Sequence, residues 1–365
     1  MKPARSRIVR ARDLGVPFDG ATGRFNAITD VPGVEVGHAT IVRGHGKLVV
    51  GRGPVRTGVT SILPRGRRDG SPVFAASFAL NGNGEMTGTA WIEESGLLSS
   101  PVMITNTHSV GAVRDAVIEW QLRHRRMLQP WSLPVVAETW DGYLNDTNGF
   151  HVKAAHAFTA LDGARGGAVA EGNVGGGTGM IGYGWKGGVG TASRRLPRDQ
   201  GGYTLGVIVQ LNCGRPRELV IGGVPIGTHL RPADARAREL GSIIIVAATD
   251  APLLPHQLKR IARRLSMGLA RTGSVSGNGS GDLFLAFTTA NPRPARRSRE
   301  VVPVAMLQND RMDPLFAAAV QAAEEAIVNA MVAAKTMTGI DGHTVAALPH
   351  DRLCAVLRQY GRLCD

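Results

Sequence analysis

Polar and apolar positions follow two different periods along this chain. Short apolar runs rich in branched residues recur at "PVFAASFAL" (72–80), "SPVMITN" (100–106), "LPVVAETWDG" (133–142), "YTLGVIVQLN" (203–212), "ELVIGGVPIG" (218–227) and "DLFLAFTTAN" (282–291). With the run Ile243 to Val246 in "ELGSIIIVAATDAPLLP", they predict strands. A helical period governs "GAVRDAVIEWQLRHR" (111–125), where Val113, Val117 and Leu122 lie near one face with Trp120 close by. It returns in 151–163, in 312–336, and in 255–273, where Leu258, Ile261, Leu265 and Leu269 form one stripe and Gly273 caps the end. Several strands are apolar on both faces, so both faces need covering, and strands and helices mix without βαβ regularity. The expectation is an α/β (α+β) layered sandwich with helices outside and sheets within. Residues 1–25 are basic and irregular and read as a surface arm; 26–365 read as one domain, with a polar segment, 228–241, leading into Ser242.

Composition narrows the class. Of 365 residues, 43% are hydrophobic and 19% charged, which allows a sizeable core and excludes wholesale disorder. Glycine is frequent, at 48 residues, and Gly166–Ser193 is the most glycine-rich segment, which implies close backbone approach. Gly177 to Gly182 satisfies G-x-G-x-x-G, but no helix pattern follows, so a nucleotide site is not indicated. The net charge of +13 comes from scattered arginine clusters ("ARSRIVRAR", "RGRR", "RHRR", "RPARRSR") without interleaved aromatics or a helix-turn-helix or zinc-finger pattern. They read as solvated faces, and no nucleic-acid partner is expected. Three cysteines, Cys213, Cys354 and Cys364, form no C-x-x-C pair, and their odd number suits a reducing, cytoplasmic setting. The basic N-terminus lacks the apolar core of a secretory signal. The Ala-rich stretch 316–335 carries Glu324, Glu325 and Lys335, so it reads as a soluble helix and no membrane partner is expected.

The motifs for common chemistries are missing. The ten histidines are dispersed without H-E-x-x-H, so no metal or cofactor is expected. There is no P-loop, no G-x-S-x-G and no S-x-x-K. What stands out is a small hydroxyl, Ser242, at the mouth of a buried strand, directly after a flexible Gly241. A second polar group is "SGNGSGDLF" (276–284), where Ser280 and Asp282 sit two apart and so share one face of a strand entry. Taken alone, both features also suit ordinary turns.

Five blocks in order change that weighting: "TDVPGVEVGH", "VVAETWDGYLND", "GNVGGGTGM…KGGVGTASR", "LGSIIIVAATDAPLLPHQL" and "SGNGSGDLFLAFTTAN". Together they resemble the β-peptidyl aminopeptidase family, whose type is the L-aminopeptidase/D-esterase-amidase, over about residue 26 to the C-terminus. The resemblance implies a four-layer αββα sandwich, with Ntn-hydrolase-like layering and a topology shared with ornithine acetyltransferase. It implies a self-cleaving precursor cut at Gly241–Ser242 into an α chain (1–241) and a β chain (242–365), which assemble as oligomers of αβ units, typically four. Ser242 becomes the nucleophile, and its freed α-amino group, with a pKa of about 8, serves as the base.

By the same resemblance Asn212 supplies an oxyanion-hole amide, and Ser280 with Asp282 supports the nucleophile. Glu138 binds the free amino group of a small peptide, amide or ester. Trp140 takes a pocket position where an aromatic contributes to the oxyanion hole, with Tyr143 as the alternative. The implied activity is a serine aminopeptidase without metal or organic cofactor. An acyltransferase of the same fold, or a basic protein that binds an anionic ligand without catalysis, are the other readings.

Overall fold

The apolar run after Ser242 divides by parity. Ile243, Ile245 and Ala247 join one buried cluster, while Ile244, Val246 and Ala248 join another. Such a strand must be covered on both faces, as its unbroken apolar sequence demands. Burying each isoleucine contributes about 1.5–3 kcal/mol, so this one strand anchors two layers at once.

A computed structural model describes residues 9–124, 126–232, 241–295 and 300–363. Its strands are β1 (Glu35–Arg43), β2 (Val55–Leu63), β3 (Val73–Gly82), β4 (Leu97–Leu98), β5 (Val102–Asn106), β6 (Val135–Thr139), β7 (Ile181–Gly182), β8 (Trp185–Lys186), β9 (Gly188–Arg195), β10 (Thr204–Asn212), β11 (Ser242–Thr249), β12 (Gly281–Thr288), β13 (Met337–Thr338) and β14 (Thr344–Val345). Its helices are α1 (Thr89–Ser95), α2 (Val110–Arg123), α3 (Ala154–Asp162), α4 (Ile226–His229), α5 (Pro255–Arg271), α6 (Asp313–Val332) and α7 (His350–Gln359).

Two sheets form the centre, one with order β1-β2-β5-β6 and one with order β4-β3-β12-β11-β10-β9. β11 runs antiparallel to β10 and parallel to β12. Three buried clusters define four layers. Ile62, Ile104 and Ala137 of the first sheet meet Ile208, Ile244 and Leu285 of the second. Met103 and Val136 face Val113 and Val117 of α2 and Ala157 and Leu161 of α3. Val209, Ile245 and Phe284 face Leu258, Ile261 and Leu265 of α5 and Ala319, Ala323 and Ile327 of α6. The order is therefore helices, sheet, sheet, helices, the αββα sandwich expected from the sequence. Helix α6 is, among the described residues, long and apolar enough to cross a membrane, but nearly all of it is buried inside the fold. Its alanines let it approach β9 closely: a Cβ on Gly190 would lie 2.0 Å from the Ala326 carbonyl oxygen.

Three segments differ from the sequence expectation. Residues 218–227 form no strand. Gly222 and Gly223 both take positive φ (59° and 80°) and close a tight turn bridged by Ile221 and Val224, before α4 begins. Two consecutive left-handed residues and Pro225, which lacks an N–H, cannot sit inside a sheet ladder. The described part of the basic N-terminal segment, residues 9–25, does not hang free. Ala11 and Val16 are buried in the core against α6, and the Arg10 and Arg12 side chains pair with Glu171 (2.7 Å) and Glu325 (2.9 Å). Strand β2 gave no apolar signal because it buries polar groups: Thr57, Thr60 and Ser61 are fully enclosed, and Ser61 Oγ donates to Ala160 O at 2.8 Å. Most of the polar segment 228–241 (233–240), the arginines at 125, 296, 297 and 299, and Cys364 lie outside the described residues.

Candidate active site

Ser242 is the first residue of β11, opposite Asn212, the last residue of β10. The register follows from the paired apolar runs that precede one and follow the other. Ser242 shares its parity with Ile244 and Val246, so its side chain enters the space between the two sheets. It is 6% exposed, and its Oγ accepts a hydrogen bond from the Gly281 N–H at 3.1 Å. Gly241 is fitted tightly: a Cβ there would lie 1.6 Å from the Asn212 carbonyl oxygen, so only glycine can precede Ser242 in this geometry.

The Asn212 amide is held from both ends. Its Oδ1 accepts from the Ile181 N–H at 2.8 Å, and its Nδ2 donates to the Trp140 carbonyl at 2.8 Å. These two partners fix which end is nitrogen, and the amide group has a second N–H for another acceptor. Ser280 and Asp282 are both fully buried, and Ser280 Oγ donates to Asp282 Oδ1 at 2.6 Å. Asp282 is the register partner of Ile243, which puts the pair beside the backbone at the start of β11. Between them, Gly281 carries the N–H that holds Ser242.

Glu138 closes the other side. Its Oε1 accepts from the Glu85 N–H at 3.0 Å and its Oε2 from the Thr107 hydroxyl. Burial pushes its carboxyl up from the ordinary range, and the two donors oppose that shift. Glu138 and Ser242 line one cavity of about 390 Å³, together with Asn83, Gly84, Thr107 and Trp140. The loop behind Trp140 is fixed by Asp141, which accepts from Asn145 (3.0 Å) and Asn106 (3.1 Å). Tyr143 stacks on His343 at 4.3 Å between ring centroids and is not among the residues lining the cavity. Among the described residues no group of acidic, histidine or cysteine side chains could hold a metal ion.

Residues 26–345 match the model of peptidase family S58. The chain belongs to peptidase family S58. It is 52% identical to the β-peptidyl aminopeptidase BapA of Sphingosinicella microcystinivorans, over 97% of this chain and 93% of that one. Among solved structures it is similar to the L-aminopeptidase D-Ala-esterase/amidase of Ochrobactrum anthropi, with a TM-score of 0.91 and 50% identity over 97% of this chain and 99% of that one. That protein is described as a prototype of the serine aminopeptidases and a variant of the Ntn hydrolase fold. A Burkholderia β-aminopeptidase superposes with a TM-score of 0.89 at 49% identity, over 97% and 99% of the two chains. Membership of family S58 makes this chain a hydrolase of the N-terminal-nucleophile aminopeptidase type.

Several contributors to the cavity escaped the sequence reading. Thr107 and the Glu85 N–H, which hold Glu138, lie 31 and 53 residues from it. The Gly281 N–H leaves no trace in side-chain chemistry. A signal did exist for the cavity's floor: "NGNG" at 81–84 and "SGNGSG" at 276–281 are paired Asn-Gly runs. Asn81 and Asn83 donate to the Gly277 and Gly279 carbonyls at 2.7 and 2.9 Å, locking the two loops together beside Ser242.

Proposed function

We propose that the chain cuts itself at Gly241–Ser242 and then works as an aminopeptidase on small peptides, amides or esters with a free amino terminus. The observation that carries this reading is that Ser242 and Glu138 line the same cavity. In the first step Ser242 Oγ attacks the Gly241 carbonyl carbon through a five-membered ring. The C–N bond breaks, the nitrogen takes the hydroxyl proton, and Gly241 is left as an ester on Ser242. Water hydrolyses that ester, which restores the hydroxyl and gives chains 1–241 and 242–365.

In the mature enzyme the α-amino group of Ser242 accepts the hydroxyl proton as Oγ attacks the substrate carbonyl, and later gives it to the leaving amine. The second N–H of Asn212 stabilises the oxyanion, worth about 3–4 kcal/mol in comparable sites. Ser280 and Asp282 hold and charge-balance the new ammonium. The Glu138 carboxylate pairs with the substrate's own ammonium, and a buried carboxylate of this kind rejects a blocked amine. The relatives' names span β-peptidyl and L-amino acid substrates, and we take residues of both kinds as substrates. We take the αβ units to assemble as a tetramer, as the resemblance implies.

The test compares a p-nitroanilide with a free amine to its N-acetyl form. Wild-type enzyme should cleave the first and not the second, and Glu138→Gln should narrow the difference. Equal cleavage of both by wild-type enzyme would refute the role given to Glu138.

A further inference from the structure

Lys186 is a buried cation outside the machinery described above. It is wholly buried, yet among the described residues its ammonium donates only to backbone carbonyls: Met180 O at 2.7 Å, Gly187 O at 2.9 Å and, more distantly, Gly177 O at 3.4 Å. Burial pushes it down to about 7. A methionine would fill the same volume without the cost of desolvating a charge. The ammonium is therefore retained for the carbonyls it gathers, and these belong to residues 177–187, which run from a 3₁₀ turn at Gly175–Gly177 through the β7–β8 ribbon to the start of β9.

One of those carbonyls matters most. Met180 C=O and the Ile181 N–H belong to one planar peptide unit, in which the two groups point in opposite directions. Lys186 takes hold of the oxygen end, while the hydrogen end donates to Asn212 Oδ1 at 2.8 Å. The Gly187 N–H adds a second grip on the same oxygen at 3.0 Å. The chain of contacts thus runs from the ammonium, through one rigid peptide, to the amide opposite Ser242. An asparagine amide is nearly symmetric in shape, so the Ile181 N–H on Oδ1, together with the Trp140 carbonyl on Nδ2, decides which way its nitrogen points.

We infer that Lys186 is a positioning residue for the oxyanion amide, acting through the Met180–Ile181 peptide to keep Asn212 Nδ2 turned toward the catalytic side. The inference rests on the oxyanion role proposed for Asn212. It sets Lys186 apart from a core filler, because its contribution disappears when Asn212 is absent.

A double-mutant cycle tests it. Lys186→Met, Asn212→Ala and the double variant are compared with the wild type, with rates taken per mole of chain beginning at Ser242. For a variant that stays uncut, the processing rate enters the same cycle. Asn212→Ala should lower kcat by about 10²–10³. Lys186→Met should lower kcat by about tenfold or more with KM nearly unchanged, and should cost less than about twofold in the Asn212→Ala background. Losses that multiply, or a change confined to KM, would overturn the inference while leaving the role of Asn212 intact. An Asn212→Ala variant with undiminished kcat would remove that role, and this inference with it. Should Lys186→Met fail to fold, Lys186→Leu, which likewise offers no donor to the Met180 carbonyl, takes its place in the cycle with the same expectations.

Discussion

The two central sheets meet at the cavity but bring different things to it. The six-stranded sheet carries Ser242, Asn212 and the Ser280–Asp282 pair, all within three neighbouring strands and their entry loop. The four-stranded sheet carries Glu138 near the end of β6, with Thr107 just past β5. The first set surrounds one backbone position, residue 242. The second builds a carboxylate whose two oxygens already accept hydrogen bonds and which has room for a cation in the cavity. The proposed function gives bond-making to one sheet and recognition of the substrate's charge to the other. Substitutions on the two sheets should separate into effects on kcat and effects on amine selectivity.

The separation can be broken in steps. Ser242→Ala should abolish both self-cleavage and hydrolysis, read as a single band on a denaturing gel and no release of product. Two chains in that variant would remove Ser242 as the processing nucleophile. Gly241→Ala should come next, since its Cβ would meet the Asn212 carbonyl oxygen at 1.6 Å. Processing should slow strongly, and unchanged processing would mean that the close fit at this bond is not used. Asp282→Asn should lower kcat by about 10² and move the acid limb of the pH–rate profile downward, because a carboxylate near an amine raises the amine's pKa. An unmoved limb would separate Asp282 from the Ser242 amine.

On the other sheet, Glu138→Gln should lower kcat/KM for free-amine substrates by about 10–10² and leave an ester without an amine within about twofold. Equal losses on both would merge the two sheets' roles. The smallest effect concerns stability. Burial raises the folded-state pKa of Glu138, so the unfolded chain binds fewer protons at this group and stability falls as pH rises through the window between the ordinary and raised values. Glu138→Gln should therefore raise Tm by a few degrees at neutral pH, and the gain should vanish below the ordinary carboxylate range. A gain independent of pH would point to packing instead of charge.

The sequence made the centre of the fold legible wherever strands are apolar on both faces, as in Ile243 to Val246. It failed where burial is polar or glycine-based. Strand β2 hides Thr57, Thr60 and Ser61 inside, and β9 carries Gly188 where the Gly172 backbone, and Gly190 where α6, lies too close for a side chain. It also mistook 218–227 for strand, since Gly222–Gly223 reads as a flexible interruption until both residues are seen at positive φ. At the site, Ser242, Ser280 and Asp282 stand out from the residue pattern, Asn212, Glu138 and Trp140 enter through the family resemblance, and the fold brings them to one region. What no single sequence carries is the contact that orients them: the Gly281 N–H on Ser242, the Thr107 hydroxyl on Glu138 and the Ile181 N–H on Asn212. Each joins segments separated by 31 residues or more, and two of the three donors are backbone groups that every residue type but proline shares.

The most direct measurement is the intact mass of the purified, active protein together with sequencing of its N-termini. Two chains, one of them beginning at Ser242 and ending at Asp365, are the expected result. Full activity from a single uninterrupted chain of 365 residues would contradict it, because residue 242 would then have a hydroxyl but no free amine to take its proton.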